Sequence, residues 1–283
     1  MAVSALNFCA FALCAATPAG DDKVVAGQAI VAVPNALDSG GIDFFNLPSE
    51  RRVSVLKSDT QIKTGMVMAL DIFHHPDTGS LTVISGYEDG HTMVHRRRPR
   101  ASQDEQWQWE MILVSRPHSQ PVLSLDTTPS KAFYFTSSAD AMIAKFAIPN
   151  SGVEGDVDMK AAKISNTKHA GQQDLTVRHD GKIFATAGWD GRIRVYSAKS
   201  LKELAVLKWH QGGCYSVAFA DSVLHDGNEL SSESGNKEAL VPSTASTGSA
   251  LEAIRHQRNI KAQMTHWLAA GGKDGKISLW DIY

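Results

Sequence analysis

The stretch Ala187-Gly-Trp-Asp-Gly-Arg-Ile-Arg-Val-Tyr196 decides the fold, because its frame returns as Gly271-Gly-Lys-Asp-Gly-Lys-Ile-Ser-Leu-Trp280, followed by Asp281. Each copy passes from small residues through Asp-Gly into an alternating apolar segment that ends on an aromatic ring. Asp-Gly between two such runs is a strong hairpin signal, since a two-residue primed turn needs positive φ where Gly and Asp tolerate it. A hairpin that recurs along the chain indicates stacked copies of one unit.

The turn aspartate anchors a register that extends outward in both directions. Four residues before it stands a hydroxyl and six residues after it a ring: Thr186, Asp190 and Tyr196; Thr136, Asp140 and Phe146. Ser85 and Asp89 keep the first two places, with His95 in the third; Asp274 and Trp280 keep the last two, with Ala270 in the first. The aspartates are spaced by 51, 50 and 84 residues, the last interval lengthened by an insertion at 222–264. His118 stands 22 residues before Asp140 and His169 stands 21 before Asp190, while His210 precedes the segment Ser216–Phe219. Histidine, hydroxyl, aspartate and aromatic can then form one hydrogen-bonded brace per unit, because buried polar groups must find partners.

Short β segments bounded by Pro, Ser, Asp or Gly fall into groups of four. Around Asp140 they are 111–114, 122–125, 133–136 and 143–148. The next unit takes 163–165, 174–178, 183–187 and 193–196; then come 204–207, 216–219, 267–270 and 277–282. A weaker early unit takes 7–13, 24–26 with 30–33, 42–45 and 53–56. Helical periodicity is confined to the insertion, so the chain is read as all-β.

Composition agrees. The 283 residues are 43% hydrophobic, ample for a buried core, and a net charge of −2 argues against coating nucleic acid. Three cysteines at 9, 14 and 214 form no CxxC pair and no even disulfide framework, as in a reducing compartment. The apolar start lacks a basic flank before Lys23, so it is read as a strand rather than a signal peptide. No run approaches the ~18 apolar residues of a membrane span.

The repeated frame, with Trp280-Asp281 as its dipeptide, resembles the WD repeat of β-propellers. His169, Thr186, Asp190 and Tyr196 match that family's structural tetrad with one conservative change. The segments 201–219 and 271–280 are similar, more specifically, to the C-terminal part of the fungal ASTRA-associated protein 1 family. Five such hairpins give a single β-propeller domain over 1–283 with about five blades visible; the resemblance implies a seven-bladed parent with about two N-terminal blades absent, a five-bladed or rearranged ring being the alternative. It further implies a non-catalytic scaffold or adaptor in the nucleus, a subunit of the ASTRA complex linked to chromatin remodelling. The implied partners are RuvB-like ATPases, a large kinase-like scaffold and the cochaperone that matures phosphatidylinositol-3-kinase-related kinases. A WD-repeat substrate receptor of a ubiquitin ligase is the alternative, and an enzyme working at the propeller mouth is a further one.

The search for chemistry returns no phosphate loop, no G-x-S-x-G elbow and no H-E-x-x-H helix. His74-His75 lacks cysteine or carboxylate partners at zinc-site spacing, and neighbours on a strand point to opposite faces. Catalytic, metal and cofactor residues are therefore assigned to none. His95-Arg-Arg-Arg-Pro-Arg100 is the one concentrated charge run, read as a solvated loop ahead of Trp107 and Trp109 rather than an import or phosphate-contact patch. The insertion, rich in Ser and Gly at 231–250, lacks the apolar content to fold, apart from a short basic helix over 251–263. It is read as a disordered loop, with a phosphorylation-sensitive docking segment as the alternative. Trp189, at the tip of the opening hairpin, is the candidate partner contact, since a large ring is costly to leave in water.

Overall fold

A computed structural model describes residues 11–17, 27–99, 107–149, 160–220, 254, 255, 258 and 265–282. The described strands form five antiparallel sheets in sequence order, as expected for propeller blades. The first sheet holds β1 (Ala12–Ala15), β2 (Ala29–Pro34), β3 (Ile42–Leu47) and β4 (Arg51–Leu56). The second holds β5 (Val67–His74), β6 (Leu81–Tyr87), β7 (Thr92–Arg97) and β8 (Trp109–Ser115). The third holds β9 (Val122–Thr127), β10 (Phe133–Ser138), β11 (Met142–Ala147) and β12 (Lys163–Asn166). The fourth holds β13 (Gln172–Val177), β14 (Ile183–Gly188), β15 (Arg192–Ser197) and β16 (Glu203–Lys208). The fifth holds three, β17 (Cys214–Phe219), β18 (Trp267–Gly272) and β19 (Ile277–Asp281).

The sheets correct the expected grouping by one strand. Trp109–Ser115 pairs with β7 and closes the second sheet, so it does not belong with the strands around Asp140. The sequence repeat is offset from the structural unit: the strand before each histidine is the outer edge of the preceding sheet. Residues 7–10 and 24–26 lie outside the described residues. Of the insertion at 222–264 only Ile254, Arg255 and Arg258 are described, and these are helical.

Burial explains the order within a sheet. Second strands are covered on both faces: β6 and β14 are buried throughout. They read as continuous runs of small and apolar residues, as two-sided burial requires. Outer strands meet water, and β16 has no fully buried position. The first strands pack side by side in the order β1, β5, β9, β13, β17. The sheets then stack face to face. Phe135 of the third sheet lies on Phe184 of the fourth at 4.8 Å, and Phe184 on Tyr196 at 5.1 Å. Phe44 of the first sheet stacks on Trp109 of the second at 4.5 Å. Each such buried ring contributes about 1.5–3 kcal/mol by area alone. On the fifth sheet Tyr215, Ile277 and Leu279 are exposed.

The basic run at 95–100 also differs from its reading as a loop. Residues 95–97 lie on β7, where His95 and Arg96 are buried. Arg96 donates to the carbonyl of Pro149, Arg97 sits 4.7 Å from the Trp107 ring centre, and Arg98 approaches Glu110 at 3.6 Å. Burial lowers the His95 pKa to about 4, so the imidazole is neutral at pH 7.

Candidate functional site

The polar side chains that the sequence singles out converge on the turns between second and third strands. The third sheet assembles the expected brace. Asp140 sits in the turn after β10, and the His118 Nδ1–H donates to its carboxylate at 3.1 Å. With that tautomer Nε2 accepts from the Thr136 hydroxyl at 2.9 Å. The carboxylate also takes the backbone N–H groups of Ser119 and Met142, stitching the incoming loop to the turn. Burial works against ionisation of Asp140, but the His118 and Met142 hydrogen bonds outweigh it and hold its pKa below the usual carboxylate value. Phe146, with no hydroxyl to offer, stacks on Tyr134 at 5.0 Å.

The fourth sheet, whose sequence matches the tetrad best, is wired differently. Arg194, not His169, takes Asp190. Its guanidinium donates from Nη1 and Nη2 to the two carboxylate oxygens at 3.1 and 2.6 Å, while the His169 ring stands 4.0 Å away with its side chain 40% exposed. Thr186 gives its proton to Gln172 Oε1 at 2.6 Å, and the buried Tyr196 hydroxyl is left with no hydrogen-bond partner. The reason lies in the register. Arg194 faces Thr186 directly across the β14–β15 ladder, whereas Ala144 faces Thr136 in the third sheet. An alanine leaves room for an imidazole to reach the hydroxyl. An arginine fills that space, and its planar fork matches a carboxylate better than a ring nitrogen can. Burial pushes the Asp190 pKa up, but the Arg194 bonds and charge outweigh this and hold it low.

In the fifth sheet the missing hydroxyl has moved. Ala270 breaks the tetrad on β18, but its cross-strand partner is Ser278 of β19. His210 Nδ1–H donates to Asp274 at 3.1 Å, and Nε2 accepts from the Ser278 hydroxyl at 2.9 Å. The Trp280 indole N–H donates to the same Ser278 oxygen at 2.9 Å. In the second sheet Asp89 pairs with His91, two residues downstream, at 2.6 Å; Ser85 bonds to the Tyr87 hydroxyl at 3.1 Å. Met93, opposite Ser85, occupies the space where an imidazole would enter.

A second polar system escaped the repeat register. Asp71, Asp126 and Asp174 lie on the first strands β5, β9 and β13, and each reaches the first strand of the next sheet. Asp71 accepts from the Thr127 hydroxyl at 2.8 Å, Asp126 from the Val177 N–H at 2.7 Å, and Asp174 from the Val217 N–H at 2.9 Å. Asp174 also accepts from Ser124 behind it at 3.1 Å. Burial raises the Asp126 pKa to about 6 and also raises that of Asp174. The signal was available: a carboxylate inside an apolar run, as in Leu125-Asp126-Thr127, is the informative exception to burial rules. Asp126 and Asp174, with Ser124, Gln173 and Tyr215, border a cavity of about 490 Å³ along the inner strands.

Trp189 is half-exposed, and its ring covers Gly171, whose positive φ and open Cα face allow the approach. Its indole N–H donates to Gln173 at 2.7 Å. The His74 ring nitrogens meet two carbonyls, those of Gly79 and Ala15. No group of three or more metal-ligating side chains occurs among the described residues.

The model of the WD domain, G-beta repeat, matches residues 164–197 and 262–281. The ASTRA-associated protein 1 of Penicillium rubens is 49% identical over 312 residues, covering 99% of this chain and 70% of that protein. The protein of the same name from Aspergillus niger is 48% identical over 309 residues, with the same two coverages. The mouse guanine nucleotide-binding protein subunit beta-like protein 1 is 27% identical over 254 residues, covering 90% of this chain and 60% of that protein.

Proposed function

The chain belongs to the ASTRA-associated protein 1 family, and from that premise we propose that it is a non-catalytic scaffold subunit of the ASTRA complex, acting in the nucleus. The observation that carries this reading is 49% identity along 99% of the chain to a protein named for its association with ASTRA. The wiring of the polar groups supports it. Asp140, Asp190 and Asp274 are each held by a cation or an imidazole inside their own turns, and Asp126 and Asp174 accept backbone hydrogens. The His118 and His210 side chains and Thr136 are fully buried, so these groups hold blades in register out of reach of a substrate. Stacked sheets with their loops on the surface suit the holding of several proteins at once. The partners in this reading are RuvB-like ATPases, a kinase-like scaffold and the cochaperone of phosphatidylinositol-3-kinase-related kinases, with a role in chromatin remodelling.

Affinity purification of the tagged chain from nuclear extract, followed by mass spectrometry, tests it. Recovery of the RuvB-like ATPases or the kinase cochaperone is the expected result. Recovery of a cullin assembly in their place would refute it in favour of a ubiquitin-ligase receptor.

A further inference from the structure

Three turns at one end of the fourth and fifth sheets form a single surface. The turn at 188–192 packs on the connection 208–213: a Cβ on Gly191 would lie 2.7 Å from the Gly212 carbonyl and 3.0 Å from that of His210. That connection in turn receives the Lys273 N–H on Gly213 O at 2.8 Å, and His210 binds Asp274. The arrangement is therefore fixed by backbone approach and by two buried braces.

Two large rings stand on this surface, Trp189 at 46% and Trp209 at 50% exposure. Around them Arg192, Lys208, Lys273 and Lys276 are all exposed. The carboxylates within these turns are already used, Asp190 by Arg194 and Asp274 by His210. The folded chain gains nothing from one element of this patch. Arg192 and Lys208 face each other directly across the β15–β16 ladder, a like-charge pairing that costs stability. Cations held beside half-bare indoles, in no ion pair among the described residues, complement an anionic segment that brings apolar anchors.

Aromatic rings among cations also suit single-stranded nucleic acid, but these rings are poorly placed to stack on bases. One face of Trp189 is taken by Gly171. Lys276 Nζ sits 5.6 Å over the Trp209 ring and the His210 ring meets its edge at 5.0 Å. The chain as a whole carries a net charge of −2, without the basic excess that backbone tracking needs. We propose that the surface formed by Trp189, Trp209, Arg192, Lys208, Lys273 and Lys276 binds a short acidic peptide segment of a protein partner through its carboxylates and an aromatic or aliphatic anchor. This deepens the scaffold reading, on which it rests, by giving one partner's contact its chemistry.

The test pans a random dodecapeptide library on the immobilised full chain, then measures the enriched peptides by fluorescence anisotropy. Acidic peptides with an apolar anchor are expected, binding more weakly as salt rises. Trp189→Ala and, separately, the Lys273→Glu/Lys276→Glu double variant should each weaken them by about tenfold or more. The charge reversals touch exposed side chains, so a wild-type melting temperature in that variant separates lost binding from lost folding. The proposal is overturned by enrichment of no peptides or of uncharged ones, by binding that both variants leave intact, or by tighter binding of an oligothymidylate. Acidic-peptide binding through this patch in a chain that recovers no assembly sinks the scaffold reading alone; an assembly recovered without patch-dependent peptide binding sinks this inference alone.

Discussion

Replacing Asp190 by alanine separates the wiring of the fourth sheet from the one its sequence suggests. The Arg194 side chain is 1% exposed, so Asp190→Ala strands a buried guanidinium. Breaking a buried ion pair from one side costs about 3–5 kcal/mol. Two features pull the figure to the lower end: Asp190 is 33% exposed, and Glu203 lies 3.6 Å from Arg194 Nε. A loss of about 3 kcal/mol at pH 7 is expected. His169→Ala removes a partly exposed ring that makes only a 4.0 Å approach and should stay within about 0.5 kcal/mol of wild type. Asp190→Ala/Arg194→Met, which removes both charges, should recover most of the loss. Urea unfolding at constant m-value measures all four proteins. The sign with pH is also fixed. The Asp190 pKa is depressed in the folded state, so its stabilisation is present above the unfolded value of about 3.9 and fades as pH falls. If His169→Ala costs as much as Asp190→Ala, or the double variant falls no nearer wild type than the single, the arginine account is wrong.

Two further outcomes follow from the same geometry. Ser278→Ala removes the acceptor of the Trp280 N–H and the donor to His210, and should cost about 1–2 kcal/mol in the same unfolding assay; Ala270→Ser added to it returns a hydroxyl to the facing strand and should recover part of that. Asp126 titrates the opposite way from Asp190: with a folded pKa near 6 it binds its proton more tightly folded than unfolded, so its ionisation removes stability as pH rises from about 4 to 6. Asp126→Asn should abolish that slope, worth about 2–3 kcal/mol, when variant and wild type are compared across the interval.

The sheets were legible because Asp-Gly turns, alternation and an aromatic stop are local signals. The braces were legible only in part, because their members are set by contact across the ladder. Scanning for a hydroxyl four before the aspartate finds Thr136 and Thr186 alike. The residue four after it, Ala144 or Arg194 or Ser278, decides whether histidine can enter, and that residue is a neighbour only once the hairpin forms. An arginine at that place beside Asp190 was the readable warning. The inner-strand aspartates were hidden differently: their partners are 56, 51 and 43 residues away, on another sheet, and two of the three are backbone N–H groups that no side-chain pattern can signal.

Those aspartates also give the row of sheets a direction. Each carboxylate reaches for the inner strand of the sheet that follows it in sequence, from Asp71 to Thr127, Asp126 to Val177 and Asp174 to Val217. Each of these three sheets is thus completed by its successor: taking away the next inner strand would leave a carboxylate short of a donor it meets nowhere else in its own sheet.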